Sequence, residues 1–287
     1  MRAAMSSPLI LVFDSGLGGL TVFAQVVKLR PDARYIYVAD DAGFPYGNLS
    51  EAALVARVDA VFAKLIAHYQ PDAVVIACNT ASTLVMPHLR NAFPSVPFIG
   101  TVPAVKPAAE LSRTHRITVL ATPGTVARDY THDLVRSFAA HCKVNLVGSK
   151  HLAGLAEAYM KGEEVSDEAI IAEIAPCFVD DNGHKTDAIA LACTHYPLLT
   201  ARYKALTKGK VGWPVHWIDP APAIARRVDH ILSARFGAAR PTNNASQTVL
   251  GEAIFTRGRL PGRELQQALM DRGLQAVSSE PMPLAVA

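Results

Sequence analysis

Short apolar runs alternate with longer amphipathic segments along most of this chain. Runs that are hydrophobic throughout are typical of parallel strands covered on both faces, and apolar residues at helical spacing predict helices between them. The predicted strands are 9–13, 34–39, 73–77, 116–121, 143–147 and 188–192. The predicted helices are 20–30, 51–69, 80–93, 126–139, 152–160 and 167–180. This alternation predicts an α/β fold with mostly parallel central sheets.

The order of strand, polar turn and helix occurs twice, which predicts two pseudo-symmetric α/β lobes. A proline-rich segment at 102–107 is the predicted linker between them, and the short strand at 96–100 carries a proline, as edge strands do. The C-terminal elements are too few for a third domain. They are a strand at 215–219, a helix at 220–236, a polar spacer at 241–246, a strand at 248–256 and a helix at 262–272. The predicted lobes are therefore 1–102 with 212–287, and 103–211.

Two cysteines stand where predicted strands end. Cys78 follows the run at 73–77 and precedes Asn79 and Thr80, while Cys193 follows the run at 188–192 and precedes Thr194. Ligands of open α/β sheets bind beyond the carboxyl ends of the strands. A single cysteine there is more often a small buried hydrophobic residue. The matched pair favours two thiols that face one site.

Composition narrows the class of protein. Half of the 287 residues are hydrophobic, 18% are charged and the net charge is +3. Basic residues form no run long enough for a nucleic-acid or membrane patch, and no apolar stretch has the length of a membrane span. The N-terminus lacks the apolar core of a signal peptide. We therefore predict a cytoplasmic, enzyme-sized protein with no nucleic-acid or membrane partner, whose four cysteines, without zinc-site spacing, are free thiols.

A glycine-rich turn follows the first strand. Asp14 precedes glycines at 16, 18 and 19, and a helix begins directly after them. Such a turn can present backbone N–H groups to an anion, but its spacing fits neither the P-loop nor the dinucleotide fingerprint. Asp14 can be a helix cap or a catalytic carboxylate, and taken alone it favours the cap.

Five motifs in this order resemble the glutamate racemases of the cofactor-independent aspartate/glutamate racemase superfamily. They are Phe13-Asp-Ser-Gly-Leu-Gly-Gly-Leu-Thr21, Phe44-Pro-Tyr-Gly47, Ala77-Cys-Asn-Thr-Ala-Ser82, Ala121-Thr-Pro-Gly-Thr125 and Ala192-Cys-Thr-His-Tyr-Pro-Leu-Leu199. The resemblance covers about residues 9–219. It implies two α/β lobes with the active site in the cleft between them, racemisation of glutamate without cofactor or metal, a role in supplying D-glutamate for peptidoglycan, and a homodimer.

The resemblance also assigns roles to individual residues. It implies that Cys78 and Cys193 are the catalytic cysteines, assisted by Asp14 and His195 respectively. The matching substrate-binding positions are Asp14, Ser15, Tyr46, Gly47, Asn79, Thr80, Thr125, Thr194 and His195. Glu157 maps onto a glutamate that lies near the predicted helix 152–160, behind the residues that contact the substrate. Tyr46 can equally pack at the rim, and Gly148-Ser-Lys-His151 departs from the Cys-Pro pair expected there.

The chemistry agrees with these assignments. Inverting a stereocentre needs one group to remove a proton from one face and another to supply a proton to the opposite face. A thiol with its ordinary pKa near 8.5 is mostly protonated at neutral pH, so each cysteine needs a proton-handling neighbour. The alternatives are an aspartate racemase or related dicarboxylate isomerase, and a two-lobed amino-acid-binding protein without catalysis.

Overall fold

The computed structural model describes residues 7–209, 211–239 and 251–282, which form parallel sheets flanked by helices. The strands are β1 (Leu9–Asp14), β2 (Arg34–Ala39), β3 (Ala73–Ile76), β4 (Phe98–Gly100), β5 (Arg116–Ala121), β6 (Lys143–Gly148), β7 (Asp180–Asp181), β8 (His184–Lys185), β9 (Ala188–Ala192), β10 (His216–Ile218), β11 (Gly251–Phe255) and β12 (Leu274–Ser279). The α-helices are α1 (Leu20–Leu29), α2 (Glu51–Tyr69), α3 (Asn79–Ala92), α4 (Val105–Leu111), α5 (Pro123–Val126), α6 (Asp129–Phe138), α7 (Leu152–Met160), α8 (Asp167–Ile174), α9 (Thr200–Thr207), α10 (Ala221–Phe236) and α11 (Arg263–Met270). The predicted α/β class with mostly parallel sheets is confirmed.

The chain divides into two units. Unit 1 comprises the described parts of Met1–Thr101 and Ala221–Ala287, and unit 2 those of Val102–Pro220. The six strands of unit 1 lie in the order β12-β11-β2-β1-β3-β4, and all neighbours are parallel. Asp14 in β1 stands opposite Ala39 in β2, and Phe13 opposite Ile76 in β3. This register aligns the carboxyl ends of three strands, where the candidate residues follow.

Helix α2 shows why these elements form. The Ser50 hydroxyl accepts a hydrogen bond from the Ala53 N–H at 3.2 Å, which caps the helix. The helix ends at Tyr69, and the next residue, Gln70, has a left-handed φ of 47°. Its buried stripe, which includes Val58 and Phe62, packs into one core with the sheet residue Phe13. Sheet and helices thereby hold the strand ends at fixed positions.

The four-stranded sheet of unit 2 has the order β10-β9-β5-β6, again parallel throughout. Ala121 at the end of β5 pairs in register with Gly148 of β6 and Ala192 of β9. Each face of this sheet carries its own buried cluster. One is rich in alanine and includes helix α4, and the other packs α7, α8 and α9 around residues such as Leu191. Burial on both faces explains the continuous hydrophobicity of these strands.

Several predicted bounds need correction. The boundary at 212 was wrong, because β10 pairs with β9 and so belongs to unit 2, which continues to Pro220. The segment 102–107 is not simply a linker, since α4 begins at Val105. The predicted helix 126–139 corresponds to α6 (Asp129–Phe138), because Val126 is the last residue of the separate short helix α5. The helix predicted to end at 180 ends at Ile174, before the antiparallel hairpin β7–β8.

The spacer at 241–246, residues 248–250 of the predicted strand and the N-terminal residues 1–6 lie outside the described residues. Within the described part of the chain, no helix combines the length and apolar character needed to cross a lipid bilayer.

Candidate active site

Asp14 lies at the end of β1, where its carboxylate organises the glycine-rich turn. Its Oδ2 atom accepts hydrogen bonds from the N–H groups of Gly16 and Gly19, both at 3.1 Å, and the side chain is fully buried. Gly19, and not Asp14, is the residue that precedes helix α1. The carboxylate therefore stabilises the glycine-rich turn from the end of β1, and the interpretation of Asp14 as the residue that caps the helix was wrong.

Position 19 must be a glycine because its backbone packs closely against Asp14 and Ala77. A Cβ atom at this position would lie 2.8 Å from Asp14 Cβ and 3.0 Å from Ala77 Cβ, closer than side chains tolerate. The glycine thus lets the turn pack against two neighbouring strand ends. It brings Asp14 beside Ala77, the residue before Cys78.

Cys78 lies between β3 and helix α3, at the position that caps the helix. The thiol is buried, and its Sγ atom is 3.7 Å from the Ser15 hydroxyl oxygen, with either group able to donate. An α-helix N-terminus carries partial positive charge, which stabilises a negative sulfur placed there. Unit 1 therefore brings Asp14, Ser15 and Cys78 together at the carboxyl edge of its sheet.

The Asn79 amide is the clearest sign of a polar ligand at this edge. The residue is 2% exposed, and among the described residues neither Oδ1 nor Nδ2 has a hydrogen-bond partner. Leaving a buried amide unsatisfied costs about 1–3 kcal/mol, so such a group usually has a partner that binds to it. Thr80 follows it in the first turn of α3 and is also buried.

The Tyr46 side chain belongs to the interior and not to the rim. Its ring packs in the unit 1 core, 6.4 Å from the Phe13 ring between centroids, and its hydroxyl donates to Asp40 Oδ2 at 2.5 Å. Burial, followed by the charge of Asp40, raises the pKa of Tyr46 well above its ordinary value. Packing at the rim, the alternative weighed for this residue, is therefore wrong for the side chain, and a substrate contact by Tyr46 or the exposed Gly47 stays a prediction.

Asp40 is the centre of a buried network that the sequence did not predict. Arg57 donates to both of its carboxylate oxygens, with Nε at 3.0 Å from Oδ2, and the Thr256 hydroxyl donates to Oδ1 at 2.5 Å. Burial alone would lower the pKa of Arg57, but the hydrogen bond and charge of Asp40 raise it above its ordinary value. The position of Arg57 could have predicted this network. Arg57 stands on the apolar stripe of α2, where a charged residue needs a buried partner of opposite charge.

Unit 2 places Cys193 directly after β9, at the start of a chain of hydrogen bonds. Its Sγ atom lies 3.8 Å from Nδ1 of His195, and His195 Nε2 lies 2.8 Å from Oε1 of Glu157. All three side chains are buried, and Lys161 forms an ion pair with the second oxygen of Glu157 at 3.3 Å. The structure therefore joins the two residues predicted near this cysteine into one line.

The carboxylate selects the tautomer of His195. Glu157 accepts a hydrogen bond from a protonated Nε2, which leaves Nδ1 as the acceptor that faces the Cys193 sulfur. In many enzymes an imidazole oriented by a carboxylate transfers a proton to and from a neighbouring cysteine sulfur. The Cys193 end of this line can therefore exchange a proton.

Two buried tyrosines lie in the same core cluster as Cys193. Burial, followed by the nearby charge of Cys193, raises the pKa of both Tyr196 and Tyr203, so both remain neutral near the thiol. Cys177, also in this unit, has its pKa raised by burial alone and belongs to the hydrophobic core. The two kinds of cysteine environment in unit 2 are thus chemically distinct.

The remaining predicted residues lie around the strand ends of unit 2. Thr125 is buried in the short helix α5 and accepts a hydrogen bond from the Thr122 hydroxyl at 3.0 Å, and Thr194 is buried next to Cys193. In the departing segment 148–151, Ser149 accepts from the Leu152 N–H at 3.1 Å, which stabilises the start of α7. This serine thereby positions the helix that carries Glu157.

Comparison with known proteins supplies independent information about this arrangement. A family model described as Asp/Glu/Hydantoin racemase matches residues 20–228. A protein named glutamate racemase from Brucella anthropi is 54% identical over 235 residues, which cover 82% of this chain and 83% of that protein. A protein of the same name from Rhizobium meliloti is 50% identical over 271 residues, covering 94% of this chain and 93% of the relative.

A solved structure extends the similarity to three dimensions. The crystal structure of Escherichia coli glutamate racemase, in complex with L-glutamate and the activator UDP-MurNAc-Ala, superposes with a TM-score of 0.83 at 36% sequence identity. The match covers 96% of this chain and 98% of that one. The similarity therefore includes both units and is not confined to a single motif.

Proposed function

This chain belongs to the Asp/Glu/hydantoin racemase family and is an isomerase, and from that premise we propose that it is a glutamate racemase that interconverts L- and D-glutamate. The choice of glutamate is supported by the relatives at 50–54% identity that carry this name. It is also supported by the bacterial structure with 36% identity that binds L-glutamate. Within the proposal, the reaction needs no cofactor.

The proposed mechanism uses one thiolate and one thiol. The thiolate of one cysteine removes the α-proton, the electron pair of the broken C–H bond remains on the α-carbon, and the thiol of the other cysteine protonates the opposite face. After one turnover the two cysteines have exchanged protonation states, and the enzyme is ready for the reverse reaction. Cys78 and Cys193 are the proposed bases.

The residues next to each cysteine support its proposed role in removing or donating a proton. On the Cys193 side, His195 takes or returns the thiol proton while Glu157 holds the imidazole, as the distances of 3.8 Å and 2.8 Å allow. On the Cys78 side, the Ser15 hydroxyl and the start of α3 stabilise the thiolate. The role of Asp14 as assistant to Cys78 stays a prediction.

Asn79 is proposed to bind the substrate's own polar groups. An amide offers a donor and an acceptor, and an amino acid at neutral pH presents an ammonium donor and a carboxylate acceptor next to the α-carbon. The unpartnered amide of Asn79 adjoins Cys78 and so suits a ligand whose reacting carbon lies at that sulfur. Preorganised donors of this kind also stabilise the negative charge that develops during proton removal.

The single observation that carries the proposal is the pair of buried strand-end thiols, each beside a polar group that can handle a proton. A thiol that served only packing would have an apolar environment like that of Cys177. Cytoplasmic location belongs to the same proposal, because free thiols persist in a reducing compartment. So do the homodimer and the supply of D-glutamate for peptidoglycan, which the resemblance implies.

Proton NMR in deuterated water tests the proposal. The purified protein is incubated separately with L-glutamate, D-glutamate and L-aspartate, with no added cofactor. We expect the α-proton signal of each glutamate enantiomer to disappear while the opposite enantiomer forms, because the proton delivered comes from solvent-exchanged thiol. Exchange with aspartate alone would support the mechanism but show that aspartate, and not glutamate, is the substrate. No exchange with any of the three amino acids would contradict the proposal.

Replacing Glu157 with glutamine tests whether the hydrogen-bonded series Cys193–His195–Glu157 takes part in proton transfer. The amide keeps the length of the side chain but removes the charge that fixes the tautomer, so we expect kcat to fall about 10- to 100-fold with little change in KM. The exposed Glu163, three residues beyond the end of α7, gives the matched control Glu163→Gln, for which we expect wild-type kinetics.

The isotope effect separates a role in proton transfer from loss of structure. The two enantiomers have equal free energies, so any variant must lower kcat/KM equally in both directions. If Glu157 acts through Cys193, the primary deuterium isotope effect with α-deuterated substrate should increase mainly for the enantiomer whose proton Cys193 removes. Equal isotope effects in both directions would contradict this assignment.

A further inference from the structure

A second group of reactive side chains lies in unit 2, at the opposite edge of its sheet from Cys193. His115 immediately precedes β5, and His141 and Cys142 immediately precede β6. One possible ligand atom from each lies within 4.8 Å of the others, and both histidines are exposed. We call these three residues the amino-edge cluster. The sequence predicted no metal site here, because its ligands come from two separate loops.

The fold holds the two loops together. Strands β5 and β6 are parallel neighbours in which Arg116 stands opposite Lys143, and the Lys143 N–H donates to the His115 carbonyl at 2.7 Å. His115 itself has a φ of 53°, a left-handed conformation that few residues other than glycine and asparagine adopt readily. The two imidazole rings meet edge to face with centroids 5.6 Å apart. The three side chains are therefore brought together by backbone geometry.

The cluster lines a surface cavity of about 340 Å³ with Thr114, Ala140 and His184 as further walls. Two imidazole nitrogens and a thiolate are ligands that Zn²⁺ prefers. Tetrahedral Zn²⁺ with bonds of about 2.0–2.3 Å separates its ligand atoms by roughly 3.5 Å. The three possible ligand atoms lie within 4.8 Å of one another, so they must approach by only about 1 Å to reach that separation, and the cavity leaves room for a water in the fourth position.

The surrounding charges do not oppose a cation. Two basic residues line the same cavity, Arg116 and Lys143, and both form ion pairs with Asp181, at 2.6 Å and 3.4 Å respectively. A further carboxylate, Asp187, lies against the loop that carries His115, where its Oδ2 accepts hydrogen bonds from the N–H groups of Arg113 and Thr114 at 2.7 Å and 3.1 Å. The carboxylates of Asp181 and Asp187 therefore offset the positive charges of Arg116 and Lys143 beside the cluster.

We infer that the amino-edge cluster is a Zn²⁺ site in which His115, His141 and Cys142 are the protein ligands and water completes the coordination. It is separate from the racemase chemistry. β5 and β9 are parallel and in register, so a rise of about 3.3 Å per residue places the cluster roughly 20 Å from Cys193. A bound ion links the loops before β5 and β6.

Calorimetric titration of the whole protein with ZnCl₂ tests the site. We expect one Zn²⁺ per chain and the release of a proton, seen as a heat that depends on the buffer, because Cys142 must lose its proton to bind. Co²⁺ should add a thiolate charge-transfer band. His115→Asn, which suits the left-handed backbone, and Cys142→Ser should each weaken Zn²⁺ binding at least ~10-fold, since even residues behind metal ligands contribute that much.

His132→Asn, which removes an exposed histidine from helix α6 of the same unit, is the matched control and should bind Zn²⁺ like the wild type. The double variant His115→Asn/His141→Asn should abolish the one-to-one event and keep racemisation without metal, which shows that it is folded. Unchanged Zn²⁺ affinity in the double variant would overturn the inference and assign the ion to other groups, such as the thiols Cys78 and Cys193. Absence of binding by the wild type would overturn it as well.

Discussion

Replacing Cys78 or Cys193 with alanine is expected to lower the rate of racemisation at least ~10³-fold, because in the proposed mechanism each enantiomer needs one cysteine to remove its proton and the other to supply a new one. The two variants should be equally inactive in both directions when the product enantiomer is measured. Chiral chromatography of the product checks this result. Cys177→Ala is the matched control, since it removes a buried thiol of the unit 2 core and should retain activity.

Deuterium exchange distinguishes the two variants from each other. A protein that keeps one cysteine can still remove and return a proton on a single face, so it should exchange the α-proton of one enantiomer with retention of configuration. Cys78→Ala should do so with one enantiomer of glutamate and Cys193→Ala with the other. Exchange of both enantiomers by the same variant would contradict the two-base mechanism, as would racemisation that persists in either variant.

Replacing Asp40 with alanine is expected to lower the free energy of unfolding by about 3–5 kcal/mol, because the buried Arg57 guanidinium would lose its carboxylate partner. The hydroxyls of Tyr46 and Thr256 would lose their acceptor at the same time. Urea denaturation followed by circular dichroism measures the change. Since Tyr46 lies in the segment proposed to bind substrate, the folded fraction of this variant should also show a raised KM.

A paired substitution and an exposed ion pair serve as controls. Asp40→Leu/Arg57→Met removes both charges and should be more stable than Asp40→Ala, because no charge remains unpaired in the interior. Asp133 and Arg136 form an ion pair on α6 with side chains 59% and 69% exposed, and Asp133→Ala should cost less than about 1 kcal/mol. A loss of similar size at both sites would show that burial is not the cause.

The parts of the fold that were predicted from sequence are those with strong local signals. Helix α2 has the predicted bounds, since Ser50 caps it and Pro71 follows it shortly after its end. Strands β2 and β9 were likewise confirmed, because buried parallel strands are hydrophobic throughout. β12 was missed, since it is an edge strand in which only Leu274 is buried and which has no continuous apolar run.

Long-range pairing accounts for what could not be predicted. Pro103 and Pro107 made the segment 102–107 resemble a linker, but Pro107 lies in the first turn of α4, where proline is tolerated because the N–H groups have no partner. At the candidate site, the motifs indicated Cys193, His195 and Glu157 separately. Only the packing of α7 near the end of β9 joins them. The Asp40 network unites residues more than 200 positions apart, for which no local pattern exists.

The strand order of unit 1 has a consequence for how the protein is made. β2 lies in the interior of its sheet only because β11, more than 200 residues later, pairs with its outer edge. A ribosome that adds about 5–20 residues per second needs roughly 10–40 s to synthesise that interval. Unit 2 is continuous and can fold during this time, while β2 presents an open edge to other nascent chains. Synthesis therefore exposes an aggregation-prone edge that the finished protein conceals.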